Sequence, residues 1–228
     1  MNYVFGFENY GSEIAKSLQH KKKDVLVIED NKEHLESAKN LGFNTQFVDF
    51  NSDKFDGITF NSDDYFFVAT DDDTINIFLT ITLRSFHENI TIIALSKHHE
   101  NEHKLQVAGA NRVIAVDAMS ARMLFNLLEK PAVSEIFHEI VFADNEIRVS
   151  EIVIPEGSFL SDTHVSDLDI KTNYNLLLFG ILDKELNQNF LFTTQGFHQM
   201  IDNGDTLIVI GYIHDIERFK KDLYSTIM

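Results

Sequence analysis

Residues 2–18, NYVFGFENYGSEIAKSL, decide the fold. A short apolar run, Asn2–Phe7, enters the turn Gly6-Phe7-Glu8-Asn9-Tyr10-Gly11 and continues as an amphipathic stretch over Gly11–Gln19. A strand leading through such a glycine turn into a helix marks a dinucleotide-binding fold. Gly6 and Gly11 keep the outer two glycines, which permit the tight turn and the close helix–strand packing. The middle position, where backbone must approach a pyrophosphate, holds Glu8. A side chain there disfavours the usual backbone geometry, and its charge opposes a diphosphate. The motif therefore predicts a retained fold without tight NAD binding in the usual pose. A mononucleotide, a displaced nucleotide and an empty cleft stay open.

Outward from this turn, strand-like and helix-like segments alternate. Short runs rich in Val, Ile and Phe at Asn2–Phe7, Asp24–Glu29, Asn44–Val48, Tyr65–Thr70, Ile90–Ser96 and Arg112–Val116 read as strands buried on both faces. Helical patterns occupy Gly11–Gln19, Lys32–Leu41, Thr74–Phe86, His98–Ala108 and Met119–Leu128. Gly42 and Gly109 stand just past two of them, as left-handed caps do. This alternation predicts a doubly wound parallel sheet. Beyond Pro131 the pattern changes. An apolar segment, Ala132–Val141, precedes an Asp144-Asn145 turn and strand-like runs at Glu146–Ile154, Tyr174–Leu182, Asn189–Thr193 and Thr206–Gly211. A helix over Asp215–Tyr224 follows. The expected organisation is an α/β, Rossmann-like lobe over 1–140 and a small α+β lobe over 141–228.

Composition narrows the function classes. The chain has 228 residues, 44% hydrophobic and 24% charged, enough for one large or two small globular domains. No run approaches the roughly 18 apolar residues of a membrane span, and no basic region precedes the first strand as in a signal peptide. The absence of cysteine excludes disulfides, thiolate catalysis and cysteine-ligated zinc, and fits a reducing cytoplasm. A formal charge of −17 argues against nucleic acid as a partner.

Candidate binding residues gather at the carboxyl ends of the expected strands, where such sheets hold ligands. Glu29 reads either as an acceptor for ribose hydroxyls or as a plain strand-end acid beside Asp30; Asp49 ends the third strand on the same edge. Thr70-Asp71-Asp72-Asp73-Thr74 opens a helix. It reads first as a cap, with Asp71 or Asp72 as the N-cap, and second as a hard-cation site. Consecutive acids point in different directions, which favours the cap. His98, His99 and His103 lack a third ligand for zinc and read as a solvated helix start. There is no G-x-S-x-G, H-E-x-x-H or Walker lysine, so the expectation is a binding module and not an enzyme.

The two halves together resemble RCK domains, the regulators of potassium conductance (TrkA-N/TrkA-C, or KTN-type). HHENEHKLQVAGANRVIAVDAMSARMLFNLL, residues 98–128, matches the family's Leu-x-x-x-Gly-Ala-Asp/Asn-x-Val-Ile pattern at Leu105, Gly109, Ala110, Asn111, Val113 and Ile114. SEIVIPEGSFLSDTHVSDLDI (150–170) and NGDTLIVIGYIHDIERFKKDL (203–223) resemble its small C-terminal lobe. The resemblance implies a cytoplasmic ligand-sensing module at the inner face of the membrane, acting on a potassium channel pore or a Trk/Ktr-type membrane subunit. It implies a helical crossover over about Met119–Val141 that pairs two copies, and an octameric ring of such dimers. Both a piece of a longer channel polypeptide and a separate transporter subunit fit the start at Met1.

The implied ligands are an adenine nucleotide (AMP, ADP, ATP or NAD) or a divalent cation. They would be held by Gly6, Phe7, Glu8, Asn9, Gly11, Glu29, Asp30, Asp49, Thr70 and Asp71. Calcium-gated members carry paired glutamates where this chain has Leu95 and Lys97. The family calcium site is therefore expected to be missing, leaving Asp71, Asp72 and Asp73 as the metal candidates. The rival functions are a nucleotide-dependent oxidoreductase and a structural assembly domain with a vestigial cleft. Glu8→Gly is expected to strengthen binding of diphosphate nucleotides, measured by calorimetry; unchanged or weaker affinity would show that Glu8 is no obstruction.

Overall fold

The computed structural model describes residues 1–52, 55, 60–86, 88–141, 146–184, 190–192 and 200–225. The Asp144-Asn145 turn and the outer residues of the Asn189–Thr193 strand lie outside the described residues. Two compact units emerge, Met1–Asn126 and Leu127–Met228. Their division falls earlier than the boundary expected near residue 140, inside a helix that leaves the first sheet.

The first unit is built on β1 (Asn2–Phe5), β2 (Val25–Glu29), β3 (Asn44–Phe47), β4 (Tyr65–Val68), β5 (Thr91–Ser96) and β6 (Arg112–Ala115). All neighbours run parallel, in the order β3-β2-β1-β4-β5-β6. This is the doubly wound, Rossmann-type sheet, with its switch point between β1 and β4. Its helices are α1 (Asn9–His20), α2 (Lys32–Asn40), α3 (Asp73–Phe86), α4 (Glu102–Val107) and α5 (Val116–Glu129). The central strands are buried on both faces: Val4, Phe5, Val27, Ile28, Phe66 and Val68 are fully enclosed. The strand expected through Phe7 stops at Phe5, because Gly6 takes φ +90° and turns the chain into α1.

The sequence shows no helical pattern between β3 and β4, and none is found there among the described residues. Phe50, Phe55 and Phe60 pack against the sheet, with Phe55 edge-on to Phe5 at 5.6 Å and Phe60 edge-on to Phe66 at 4.9 Å. Rings of this size cover much apolar surface.

The Leu105–Ile114 pattern has a physical explanation. Leu105 is fully buried, and Gly109 adopts φ +107° to end α4. Asn111 then joins the sheet through both its groups. Its backbone N–H donates to the Ile92 carbonyl at 2.8 Å, and its Oδ1 accepts the Ile92 N–H at 2.8 Å. Arg84 at the end of α3 donates to the Gly109 carbonyl and to Asn111 Oδ1, tying helix to loop.

The second unit begins within α5 and continues through α6 (Pro131–Val141) and β7 (Ile147–Val153). After these come β8 (Thr163–His164), α7 (Ile170–Tyr174), β9 (Leu177–Leu182), β10 (Phe190–Phe192), β11 (Met200–Ile201), β12 (Thr206–Tyr212) and α8 (Ile213–Ser225). A four-stranded antiparallel sheet runs β10-β9-β12-β7, and β11 pairs with β8. The core joins Ile152, Ile154 and Val209 to Ile216, Phe219 and Leu223 on the inner face of α8. Tyr174 is not the strand residue expected of it. It ends α7 with its ring 4.9 Å from Phe219, and the chain turns through Asn175 at φ +56° before β9 starts. The two-residue strands β8 and β11 are too short to leave a period-two pattern.

The packing of α1 on the turn tests the glycine argument. A Cβ on Gly11 would drive into the carbonyl of Gly6. Gly11→Ala is therefore expected to cost more than about 3 kcal/mol, measured by urea denaturation. A loss below about 1 kcal/mol would show that the helix can back away.

Candidate functional site

The glycine turn and the strand ends beside it gather Glu8, Glu29, Asp30, Asp71 and Asp72 around one cleft. Glu29, at the end of β2, is only 2% exposed, and its Oε2 accepts the Phe7 N–H at 2.6 Å. Its Oε1 accepts the N–H groups of Asp30 and Asn31, each at 3.0 Å. Glu29 thus staples the turn after β1 to the end of β2, a structural duty added to either role read from sequence. Burial pushes its carboxyl above the usual range, against the backbone donors of Asn31, Phe7 and Asp30 and the nearby His34 ring.

Glu8 stands at the N-cap position of α1 without capping it. Its Oε2 reaches across the switch point and accepts the Asp71 N–H at 3.1 Å. Its Oε1 lies 3.7 Å from His34 Nδ1, which is 3.8 Å from Glu29 Oε2. Asp71 in turn accepts from Asn9 Nδ2 at 2.6 Å and pairs with Lys97 Nζ at 3.3 Å. The residue expected to oppose a pyrophosphate therefore bridges the two halves of the cleft.

Two cavities flank this bridge. One of about 200 Å³ is lined by Gly6, Glu29, Asp30, Phe50, Thr70 and Ile75, among others. The other, about 460 Å³, lies between α1 and α2 and is lined by Phe7, Asn9, Ser12, Lys16, His34 and Ser37, among others. Glu8 and Asp71 line both, so the pair stands where the two spaces meet. Asp49 lines neither. Its Oδ1 accepts the Asn51 N–H at 2.9 Å within its own loop. Thr70 turns its hydroxyl inward to Asn76 Oδ1 at 2.7 Å.

The three consecutive acids diverge. Asp72 is the N-cap of α3, accepting the Thr74 N–H at 2.7 Å and the Ile75 N–H at 3.3 Å. Asp73 faces the loop after β5 and accepts from Ser96 Oγ, the Lys97 and His98 N–H groups, and Asn101 Nδ2. Burial alone would raise the Asp73 carboxyl; these four donors outweigh it and hold the carboxyl below its usual range. Among the described residues no three His, Cys, Asp or Glu side chains gather to hold a metal. Lys97 sets its ammonium against Asp71 at 3.3 Å.

His34 is the site residue that sequence reasoning passed over, and Lys97, noted only as a departure from the calcium-gated pattern, proves to be the partner of Asp71. The signal for His34 was its place three residues after Asn31, whose Oδ1 accepts the Glu33 N–H at 2.8 Å as the N-cap of α2. A residue in that first turn faces the strand end that feeds the helix.

A doubly wound sheet whose glycine turn opens onto a cleft at its switch point, followed by a small antiparallel lobe, defines a class of two-lobed domain built on a Rossmann-type sheet. The chain belongs to the TrkA family: residues 3–116 match the TrkA-N domain and residues 149–224 the TrkA-C domain. It is 25% identical over 228 residues to the Ktr system potassium uptake protein C of Bacillus subtilis, covering 98% of this chain and 97% of that protein. It is 26% identical over 114 residues to the probable potassium channel protein 2 of Methanocaldococcus jannaschii, covering 48% of this chain. The chain spans 21–43% of the length of the archaeal relatives it matches. The solved GsuK RCK domain shares the fold, with a TM-score of 0.50 and 22% identity over 98% of this chain and 46% of that one. Among the described residues no helix is long and apolar enough to cross a membrane.

Asp73 yields a pH prediction. Its folded-state pKa is lowered, so its contribution is present above the unfolded carboxylate pKa near 3.9 and is lost as pH falls through the folded value. Asp73→Asn is expected to cost about 2 kcal/mol near neutral pH. Urea unfolding should show the gap to wild type closing below about pH 4; a gap independent of pH would refute the charged role.

Proposed function

We propose that this chain is the regulatory, ligand-sensing module of a potassium-transport system, working as a homodimer or a ring of dimers against a membrane-embedded partner at the cytoplasmic face. The observation that carries this reading is the state of α5 and α6. Neither helix buries a single residue, yet Met123, Leu124, Phe125, Leu128, Ile136 and Phe137 are each more than half exposed. So much apolar surface on adjacent helices marks an interface, and α5 follows directly from β6 of the cleft-bearing sheet. A second copy covering these helices would carry a change at the cleft into the shape of the assembly.

The role is binding and not chemistry. An adenine nucleotide suits the cleft: the smaller cavity offers Phe50 and Ile75 to a base and Glu29 and Asp30 to a ribose. Ligand would then favour one assembly shape over another by the difference in its affinity for the two, and gating can shift by no more than that. The named relatives, a probable potassium channel protein and a Ktr system potassium uptake protein, support this partner class.

Light scattering is expected to give a dimer or larger species at micromolar concentration. The pair Phe125→Asp and Leu128→Asp should reduce it to a monomer with unchanged circular dichroism; a monomeric wild type would overturn the assembly. A nucleotide at about 100 times its Kd should stabilise the fold by about 2.7 kcal/mol in a thermal-shift series of AMP, ADP, ATP and NAD. No shift with any of them would leave a structural assembly domain as the function.

A further inference from the structure

We infer that the segment over 96–101 is the joint through which the cleft acts on α5, clasped to the cleft where Lys97 meets Asp71 and to the helix where His99 meets Asp117. The inference rests on the assembly reading above and names how the occupant of the cleft reaches the helices that carry that assembly.

The segment runs from the end of β5 to the start of α4 and is bonded in three places. Toward the cleft, Lys97 Nζ lies 3.3 Å from Asp71 Oδ2. At the start of α3, Asp73 accepts the Lys97 N–H at 2.7 Å, the His98 N–H at 3.2 Å and Asn101 Nδ2 at 2.8 Å. Toward α5, the His99 N–H donates to both carboxylate oxygens of Asp117, at 3.0 and 3.1 Å, and His99 Nδ1 lies 3.3 Å from Asp117 Oδ2. The Asp117 N–H donates in turn to the Lys97 carbonyl at 3.4 Å. Lys97 thus touches the cleft with its side chain and the first turn of α5 with its backbone. No residue of α5 is buried, so core packing does not set the direction of that turn and the bonds at Asp117 do.

Asp71 is the part of this joint that a ligand can move. It lines both cavities. Its Oδ2 meets both Asn9 Nδ2, at 2.6 Å, and Lys97 Nζ, while its Oδ1 is buried without a hydrogen-bond partner. A buried acceptor left unpaired is destabilising, and a charged one more so. A ligand that brings a donor to the cleft relieves it by turning the carboxylate, and the turn takes Oδ2 off Lys97. Binding then favours the arrangement with that ion pair open, by the difference in ligand affinity between the two arrangements. Asp73 keeps its hold on the segment, so the joint shifts without unfolding. The shift passes through His99 and Asp117 into α5. That helix has 14 residues and is about 21 Å long, so a small tilt at its first turn displaces Phe125 and Leu128 near its other end. By reciprocity, a second copy packed on α5 changes ligand affinity by the same factor.

The test uses the full chain with ADP as the probe. Analytical ultracentrifugation should show saturating ADP changing the wild-type dimer dissociation constant by about fivefold or more, the lower end of ordinary coupling between sites. Asp117 is exposed, so Asp117→Ala should fold, as circular dichroism checks. This variant should dimerise and bind ADP as wild type does, with the ADP effect on dimerisation cut below about twofold. An undiminished effect would overturn the joint. A second measurement needs no ligand. Asp71→Asn should speed hydrogen exchange at the bonded amides of Asp117 and Ala118 by about tenfold, and should add nothing in a Lys97→Met background, as two changes on one link do. Additive effects, or an Asp71→Asn exchange rate at these amides equal to wild type, would overturn the joint whatever ADP does. Absence of ADP binding, or a wild type that stays monomeric, would overturn the reading above, and the exchange measurement would still decide the joint.

Discussion

The close approach of α1 to the turn after β1 is the constraint on which the rest depends. Gly6 takes a left-handed conformation in which a Cβ would lie only 2.9 Å from Thr70 Cα, and Gly11 presses against the Gly6 carbonyl. No side chain fits at either position. Once α1 seats there, Phe7 N–H points at Glu29, and β2 is locked to the turn by a buried carboxylate. The chain then delivers Glu8 to the switch point between β1 and β4, within reach of the loop that starts α3. The cleft is a by-product of this packing.

That geometry changes what the missing middle glycine means. In sequence, Glu8 is an obstruction defined by what it excludes. In the fold it is a connector, bonded to the backbone across the switch point and flanked by a histidine. Asp71 is likewise engaged, by Asn9 and Lys97. The acidic cluster is thus internally neutralised in part: Asp72 caps a helix, Asp73 ties two loops, and Asp71 faces a lysine. A hard cation needs several oxygens converging on one point, and these carboxylates are each committed elsewhere.

Much of the first lobe was legible in the sequence, since fully buried parallel strands read as apolar runs with short polar breaks. Between β3 and β4 the packing of Phe50, Phe55 and Phe60 on the sheet left no periodic signal to read. In the second lobe the long strands were legible and α7 was not. Tyr174 continues an apolar run, and only its ring packing on Phe219 from α8 shows that it ends a helix. The exposed apolar faces of α5 and α6 show the reverse problem. Periodicity marks them as helices with an apolar stripe, but whether that stripe meets this chain's own core depends on the tertiary fold, which leaves it uncovered.

By itself, the sequence determined the Rossmann-type lobe and the small α+β lobe after it, and its resemblance to a known family named the family to which both belong. The lobes follow from local rules: which residues can turn, which stretches can be buried on both faces, and which glycines a close packing requires. The tertiary structure alone decided what the edge residues do. Glu8 meets the Asp71 N–H from 63 positions away, Glu29 meets Phe7 from 22, and His34 comes between two carboxylates that sequence had placed apart. The physical reason is range: a turn or a strand is set by neighbours along the chain, whereas the partner of a carboxylate is set by whatever the fold brings within about 3 Å of it.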